Sequence, residues 1–177
     1  MKLIILYGFA SSGKSTLAKR YTDDNPMSIA IEGDELIGMI GGWRTNESDA
    51  RHLVFAYTKA IAELHLGSGH DVVIPYLLND ASHSSVFKEI ATKHNVEFYE
   101  VYIDIEKEDA VNRLINRGCW GEAGSRSLTE DDRPELEDRF DYMQGIMGQL
   151  SNITSIKSEQ GDIDSAYKEL ERVTQSN

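Results

Sequence analysis

Residues 8–15 read Gly-Phe-Ala-Ser-Ser-Gly-Lys-Ser, which matches the pattern G-x-x-x-x-G-K-[ST]. Glycines at both ends let backbone N–H groups turn inward around an anion, because no Cβ stands in the way. Lys14 supplies a point charge for the β- and γ-phosphates of a nucleotide, and Ser15 supplies a hydroxyl for Mg²⁺. This segment, the P-loop, predicts a nucleotide-phosphate site made of Gly8, Ala10, Ser11, Ser12, Gly13, Lys14, Ser15 and Thr16.

The sequence on both sides of the P-loop alternates between strand and helix patterns. Residues 3–7 are a short branched-aliphatic run, typical of a strand buried on both faces of a parallel sheet. Helical sequence follows from Lys14 to about Tyr21. This alternation predicts an α/β fold with a mostly parallel sheet and right-handed crossovers. Further strands are expected at residues 28–31, 71–74, 98–103 and 153–156.

Apolar spacing predicts the buried faces of the helices. The longest helix is expected to start after Asn46 or Ser48 and to stop at Gly67. Pro134 suits the first turn of a later helix. The predicted buried face of the longest helix follows the spacing i, i+4, i+7, i+8 and i+11, with Leu53, Tyr57, Ala60, Ile61 and Leu64. That of the later helix comprises Leu136, Phe140, Met143 and Met147.

Composition narrows the classes of function. The chain has 177 residues, which predicts a single domain over residues 1–177. Its net charge of −12 makes general nucleic-acid binding unfavourable, because phosphate contacts need clustered Lys and Arg. The one cysteine, Cys119, excludes an intramolecular disulfide framework. Without an apolar run long enough to cross a membrane, the protein is expected to be cytoplasmic.

A phosphate site does not define a reaction, so other segments are needed. No guanine-reading Asn-Lys-x-Asp segment occurs, which argues against a GTPase switch, and the length leaves no room for the extra modules of AAA or transporter ATPases. The P-loop, residues 31–36 (Ile-Glu-Gly-Asp-Glu-Leu) and residues 112–118 (Asn-Arg-Leu-Ile-Asn-Arg-Gly) together resemble the small P-loop kinases. This superfamily includes shikimate and gluconate kinases, chloramphenicol phosphotransferase, the polynucleotide 5′-kinase domain and the zeta-toxin kinases.

The resemblance carries expectations about fold and relatives. It implies a three-layer P-loop NTPase with a central parallel sheet of about five strands in the order 2-3-1-4-5, and a lid over residues 118–133. It also implies that residues 160–164 flank the adenine ring. Residues 71–80, with Pro75, are similar to a further relative, the tunicamycin-resistance ATP-binding proteins.

Asp34 is the candidate catalytic acid–base group. It follows the second predicted strand, and open α/β sheets bind ligands beyond the carboxyl ends of their strands. There it could accept the proton of an attacking hydroxyl or hold Mg²⁺ through water, and the resemblance implies the same role. Alternatively, it only caps the next helix. Ser15 and Asp34 are expected to bind the metal. Many P-loop kinases have an aspartate at the end of the third strand, where this chain has Pro75. Asp80 and Asp104 are alternative metal residues.

Four arginines are candidates for the transferring phosphate. Arg113 and Arg117 are four residues apart and share one side of a predicted helix. The resemblance implies that arginines here reach the phosphates as the lid closes, together with Lys14. Arg126 and Arg133 lie in or beside the lid and either could close over the site. The alternative for all four is a surface charge paired with nearby carboxylates.

The acceptor site is expected beyond the second strand. Trp43 could stack on a ring, Arg44 and Arg51 could bind an anionic group, and Tyr76 could face the pocket from the third strand. Trp43 as a core residue and Arg51 as a surface charge are the alternatives. Trp120 in the lid either covers the nucleotide base or anchors the lid.

Together these features predict an ATP- and Mg²⁺-dependent kinase that transfers the γ-phosphate to a hydroxyl of a small molecule, acting as a monomer or homodimer. Two alternatives stay open. One is a polynucleotide or nucleoside kinase; the negative net charge argues against the polynucleotide kinase. The other is a drug-resistance-type protein that binds ATP without phosphotransfer.

Overall fold

A computed structural model describes residues 1–159 and 162–175 of the chain. Its centre is a five-stranded parallel sheet in the order β2-β3-β1-β4-β5, so the predicted strand order is confirmed. The strands are β1 (Lys2–Tyr7), β2 (Ile29–Ala30), β3 (Val72–Tyr76), β4 (Glu97–Asp104) and β5 (Thr154–Lys157).

Helices cover both faces of the sheet. The described residues form α1 (Lys14–Asp24), α2 (Gly33–Gly38), α3 (Glu47–Gly67), α4 (Ser82–His94), α5 (Lys107–Arg117), α6 (Arg133–Met147) and α7 (Ile163–Gln175). Short 3₁₀ turns lie at Trp43–Thr45 and Glu130–Asp132. Apolar residues of α1 and α7 pack on one face of the sheet, and those of α3 to α6 pack on the other. The result is the predicted three-layer P-loop NTPase fold.

Strand β1 lies at the centre of both apolar layers. Its residues 3–7 are fully buried, and they alternate between the layers because successive side chains of a strand point to opposite faces. Leu3, Ile5 and Tyr7 join the layer of α3 to α6, whereas Ile4 and Leu6 join the layer of α1 and α7. Since β1 is buried on both sides, the P-loop begins directly at the end of a strand that the core holds in place.

Strand β3 continues two residues further than the sequence predicts. Pro75 lies within the strand, opposite Leu6 of β1, and the strand ends at Tyr76. A proline in an interior strand would normally remove a ladder hydrogen bond. Here β2 pairs with β3 only at Val72 and Val73, so the far edge of β3 has no strand partner at Pro75. The proline is therefore compatible with the strand.

The predicted buried face of α3 is mostly wrong, since only Ile61 of its five residues packs partly against the core. Leu53 and Tyr57 are 44% exposed and Leu64 is 75% exposed. The helix instead turns a narrow row of smaller residues toward the core, one position later in the sequence. This row follows a strict i+4 spacing and consists of Ala50, Thr58, Ala62 and Leu66, with the half-buried Val54 between the first two. Phe55 packs partly against the same core, whereas Leu53, Tyr57 and Leu64 stay exposed.

Other helix predictions are confirmed. Helix α3 begins directly after Asn46 and ends at Gly67, and Pro134 stands in the first turn of α6. The predicted buried face of α6 is buried in full. None of the helices in the described part of the chain has the length and apolar character that a membrane span requires.

The lid segment is ordered rather than structureless. Gly118 caps the end of helix α5 in a left-handed conformation, with φ 78°. Cys119 and Ser127 then pair as an antiparallel bridge, and the Leu128 N–H donates to the Gly118 carbonyl at 2.9 Å. A capping box between Thr129 and Asp132 closes the segment before α6. The lid is thus a narrow hairpin-like loop whose tip projects over the carboxyl edge of the sheet.

Candidate nucleotide and acceptor sites

The P-loop turns sharply between β1 and α1. Gly13 has a φ of 97° and immediately precedes Lys14, the first residue of α1. Ser11 has a φ of 63°, a left-handed conformation that costs a non-glycine residue free energy and is concentrated at functional sites. The first N–H groups of α1 have no partners within the helix, and together with the helix dipole they form a site for an anion.

Two side chains of the P-loop support a phosphate ligand. The hydroxyls of Ser11 and Ser12 are buried and have no hydrogen-bond partner among residues 1–159 and 162–175. Buried polar groups normally have partners, so these atoms are suited to phosphate oxygens. Lys14 donates from Nζ to the carbonyl of Phe9 at 2.7 Å. Burial lowers its pKa to about 8, although Asp34 and Glu32 act in the opposite direction.

Glu32 is a candidate metal residue that the sequence analysis missed. The Ser15 hydroxyl donates to Glu32 Oε2 at 3.0 Å. Burial raises the pKa of Glu32, and the Ser15 hydrogen bond opposes that rise. A hydroxyl beside a carboxylate, next to a phosphate cradle, suits Mg²⁺. Glu32 could have been found from its position, because it directly follows the second predicted strand and precedes Asp34 by two residues. An acidic residue there can take the place of the strand-end aspartate that Pro75 replaces.

Asp80, a metal candidate from the sequence, has a structural contact instead. Asp80 accepts a hydrogen bond from the Ser82 N–H at 2.8 Å, so it fixes the start of α4. Within the described residues no group of three or more His, Cys, Asp or Glu side chains is arranged to hold a metal ion. A cation beside Ser15 and Glu32 would therefore take most of its ligands from phosphates and water.

Asp34 lies in the first turn of α2, and Glu32 takes the capping position. Desolvation raises the pKa of Asp34, and the nearby Glu122 carboxylate raises it further; Lys14, Arg117 and Arg51 lower it. A Cβ on Gly121 would stand 1.8 Å from Arg117 Nη2 and 2.9 Å from Asp34 Oδ2, so both side chains lie against this glycine. The structure thus brings Asp34, Lys14 and Arg117 together at the mouth of the P-loop.

Three of the candidate arginines contact the lid tip, residues 120–124. Arg117 donates to the carbonyl of Trp120 at 2.6 Å, and Arg44 donates to the carbonyl of Ala123 at 3.2 Å. Arg51 donates to Glu122 Oε1 at 3.1 Å. Arg44 also lies directly over Gly124, where a Cβ would stand 1.1 Å from its Nη2. These arginines converge from α5, the 3₁₀ turn and α3 on one short segment.

Arg113 lies on the other side of the P-loop. Its Nη1 and Nη2 donate to the hydroxyl and the carbonyl of Ser158, both at 3.3 Å. The Ser158 hydroxyl in turn donates to the carbonyl of Ser12 at 2.8 Å. The loop after β5 is thereby joined to the P-loop. The predicted adenine-flanking segment begins just beyond, but Gln160 and Gly161 lie outside the described residues.

Arg126 and Arg133 are paired with carboxylates on the surface. Arg126 donates to Glu135 at 2.8 Å and also pairs with Asp132. Arg133 donates to Glu130 at 2.8 Å and to Asn112 at 2.8 Å. In this conformation neither arginine is brought to the P-loop, and both adopt the surface-pairing alternative.

The aromatic candidates differ in their surroundings. Tyr76 packs against Tyr7, Phe55 and Phe87, and its hydroxyl lies 2.6 Å from His83 Nδ1, which places the ring in an aromatic cluster. Trp43 is half-buried beneath the guanidinium of Arg44. Trp120 packs edge-on against Phe9 of the P-loop, with ring centroids 6.1 Å apart. Trp120 therefore anchors the lid tip to the P-loop.

A family model described as an AAA domain matches residues 3–132, which include the P-loop, the acceptor side and most of the lid. The chain belongs to this family. A comparison of the AAA-domain chain with curated protein sequences finds no match.

Solved structures identify the fold of this AAA-domain protein as that of the P-loop kinases. It superposes on a candidate kinase from Chloroflexus aurantiacus with a TM-score of 0.71 and 15% identity, over 98% of this chain and 97% of the other. APS kinase of Mycobacterium tuberculosis, solved with AMPPNP and APS, gives 0.62 and 17%, over 99% and 98%. The tunicamycin resistance protein of Deinococcus radiodurans gives 0.62 and 12%, over 99% and 96%. The predicted resemblance to the small P-loop kinases is thus confirmed at the level of the fold.

Proposed function

We propose that this protein is an ATP- and Mg²⁺-dependent phosphotransferase that moves the γ-phosphate to a hydroxyl of a small molecule. The observation that carries the proposal is the convergence of Asp34, Lys14 and Arg117 beside the P-loop. A carboxylate, a lysine and an arginine at a phosphate cradle are the groups that phosphoryl transfer needs. The fold shared with known kinases supports the same reading.

Each group has a distinct task in the proposed reaction. Asp34 accepts the proton of the acceptor hydroxyl, and its raised pKa makes it a stronger base than an ordinary aspartate. The acceptor oxygen then bonds to the γ-phosphorus, the bond from that phosphorus to the β,γ-bridging oxygen breaks, and ADP leaves. Lys14 and Arg117 balance the negative charge on the transferring group.

Mg²⁺ would be held by Ser15 and Glu32, with Asp34 near enough to act through water. When bound, the ion neutralises charge on the β- and γ-phosphate oxygens. Ser11 and Ser12 bind the phosphates with the N–H groups of the P-loop. Arg113 is joined to the P-loop through Ser158 on the β5 side, so we assign it to nucleotide binding rather than to the reacting phosphate.

The test is transfer of label from γ-labelled ATP with Mg²⁺. One sample contains a pool of sugar acids, shikimate, nucleosides, nucleotides and phenicol- or aminoglycoside-type drugs, and a second contains a 5′-hydroxyl oligonucleotide. We expect label on a small molecule and a loss of about 10²–10⁴-fold in rate for Asp34→Asn, the usual contribution of a positioned acid–base group. Glu35→Gln is the matched control, since Glu35 is an exposed neighbour on the same helix.

The other outcomes select between the alternatives. Label on the oligonucleotide would identify a polynucleotide kinase, against the expectation from the net charge of −12. Label that stays on ATP in both samples, with nucleotide still bound, would contradict the proposed function and favour a protein that binds ATP without phosphotransfer.

A further inference from the structure

Glu122 is an unusual residue for a lid tip. Its side chain is 9% exposed, whereas its neighbours Gly121, Ala123 and Gly124 are exposed. A carboxylate is seldom buried unless it is paired, because water stabilises its charge far better than the protein interior does. The lid tip therefore turns its single charged side chain inward, toward the site.

The partner of Glu122 comes from the acceptor side. Arg51 on α3 donates from Nη2 to Glu122 Oε1 at 3.1 Å, and the same guanidinium is held in place by Glu47, one turn earlier, at 2.8 Å. Arg51 was singled out from the sequence as a binder of an anionic group. In the structure an anionic group is indeed bound to it, and that group belongs to the chain itself.

The surroundings of Glu122 are those of the reacting groups. Its charge is close enough to Asp34 to raise the pKa of that carboxylate. Two carboxylates thus share the space beneath the lid tip, which costs free energy through like-charge repulsion. Arg117 and Arg44 are meanwhile engaged by the carbonyls of Trp120 and Ala123. The chain's own lid tip takes up cationic groups that an anionic acceptor would need.

We propose that the Glu122 carboxylate occupies, in the free enzyme, the subsite for an anionic group of the acceptor at Arg51. The acceptor is then a hydroxyl compound that also carries a phosphate, sulfate or carboxylate, and it displaces Glu122 as it binds. A neutral alcohol could not compete for Arg51, so the lid carboxylate selects for anionic acceptors. The inference rests on the proposed function and names its substrate class.

The experiment uses inorganic sulfate as the probe, with the full chain saturated by Mg²⁺ and AMPPNP so that the P-loop is filled. Sulfate binding is followed by tryptophan fluorescence, since the chain's two tryptophans are Trp120 in the lid tip and Trp43 beneath Arg44. Glu122→Gln keeps the shape and removes the competing charge. We expect it to bind sulfate about tenfold more tightly than the wild type, the scale of one lost charge-assisted hydrogen bond.

Two further variants make the result specific. Glu130→Gln removes an exposed charge from the same segment and should leave sulfate affinity unchanged. In the double variant Glu122→Gln/Arg51→Gln the gain should disappear. Equal sulfate affinity in the wild type and Glu122→Gln would overturn the proposal, as would a gain that persists in the double variant.

The proposal can fail independently of the proposed function. AMPPNP donates no phosphoryl group here, so sulfate binding is measured without turnover. A tenfold gain in Glu122→Gln together with no label transfer would contradict the kinase reaction and support the anion subsite. Label transfer to a neutral acceptor, with no gain in sulfate affinity, would support the kinase reaction and contradict the anion subsite.

Discussion

The proposed nucleotide side and the proposed acceptor side of this protein are built in different ways. The nucleotide side is one continuous segment, residues 8–16, whose buried hydroxyls at Ser11 and Ser12 have no partner among the described residues. The acceptor side is assembled from α2, α3, the 3₁₀ turn and the lid tip, and its arginines are bound to the chain itself. Under the proposed function, the first is ready for its ligand, whereas the second must release its own residues before an acceptor can enter.

The difference follows from where each side obtains its rigidity. The P-loop leaves the fully buried β1 and enters α1 at once, so its geometry is fixed by the core. The lid tip is fixed by Trp120 against Phe9 and by hydrogen bonds from Arg44, Arg51 and Arg117. We expect substitutions in the P-loop to lower both stability and nucleotide binding, and substitutions at the lid tip to lower stability less.

Helix α3, the wall of the acceptor side, provides the largest expected effect. Leu66 is 1% exposed and Leu64 is 75% exposed, although the sequence pattern favours Leu64 as the buried residue. Leu66→Ala should lower the free energy of unfolding by about 2–5 kcal/mol, because it opens a cavity in the core. Leu64→Ala should change it by less than about 0.5 kcal/mol. Urea unfolding of both variants checks this; equal losses would show that α3 is rotated from the orientation described.

Glycines of the two sides allow a closer comparison. A Cβ on Gly8 would stand 2.7 Å from Ser12 Oγ and 3.0 Å from the carbonyl oxygen of Ile103, at a φ of 155°. Gly8→Ala should therefore cost about 2–3 kcal/mol of stability through overpacking and backbone strain, and it should abolish nucleotide binding.

On the lid tip, a Cβ on Gly124 would meet the end of the flexible Arg44 side chain, which can move aside. Gly124→Ala should cost only about 1–2 kcal/mol, from its φ of 77°. Gly41→Ala is the control, since no atom lies within 4 Å of its Cβ position among the described residues. Thermal unfolding and nucleotide titration of the three variants test the comparison. A larger loss of stability for Gly124→Ala than for Gly8→Ala would show that the lid tip is more rigid than the P-loop.

The smallest expected effect is the pH dependence of the nucleotide side. Burial lowers the pKa of Lys14 from its usual 10.5 to about 8. The phosphates bind the charged lysine, so the affinity for AMPPNP should fall about tenfold between pH 7 and pH 9 as that charge is lost.

Stability of the nucleotide-free protein should follow the opposite trend. Between about pH 8 and 10.5 the unfolded chain keeps the Lys14 proton that the folded chain has released, so this lysine makes unfolding less favourable as pH rises. Lys14→Arg, whose charge persists across this range, is the control for both measurements. An AMPPNP affinity that stays constant from pH 7 to 9 in the wild type would contradict the lowered pKa.

Features that depend only on residues adjacent in the chain could be predicted from the sequence. The spacing of residues 8–15 and the branched-aliphatic run before them were sufficient for the P-loop, because strand, turn and helix start are adjacent in the chain. The strand order came from the resemblance to small P-loop kinases. Asp34 was found from its position after a strand, since parallel strands all present their carboxyl ends at one edge.

Contacts between residues far apart in the chain could be seen only in the folded structure. The buried face of α3 could not be read from apolar spacing, because small residues such as Ala62 pack inward while Leu64 remains outside. Glu32 gained its significance from the hydrogen bond with Ser15, and Glu122 from its burial against Arg51. The physical reason is the same in each case: a charge or a side chain acquires its role from partners that lie far away in the chain.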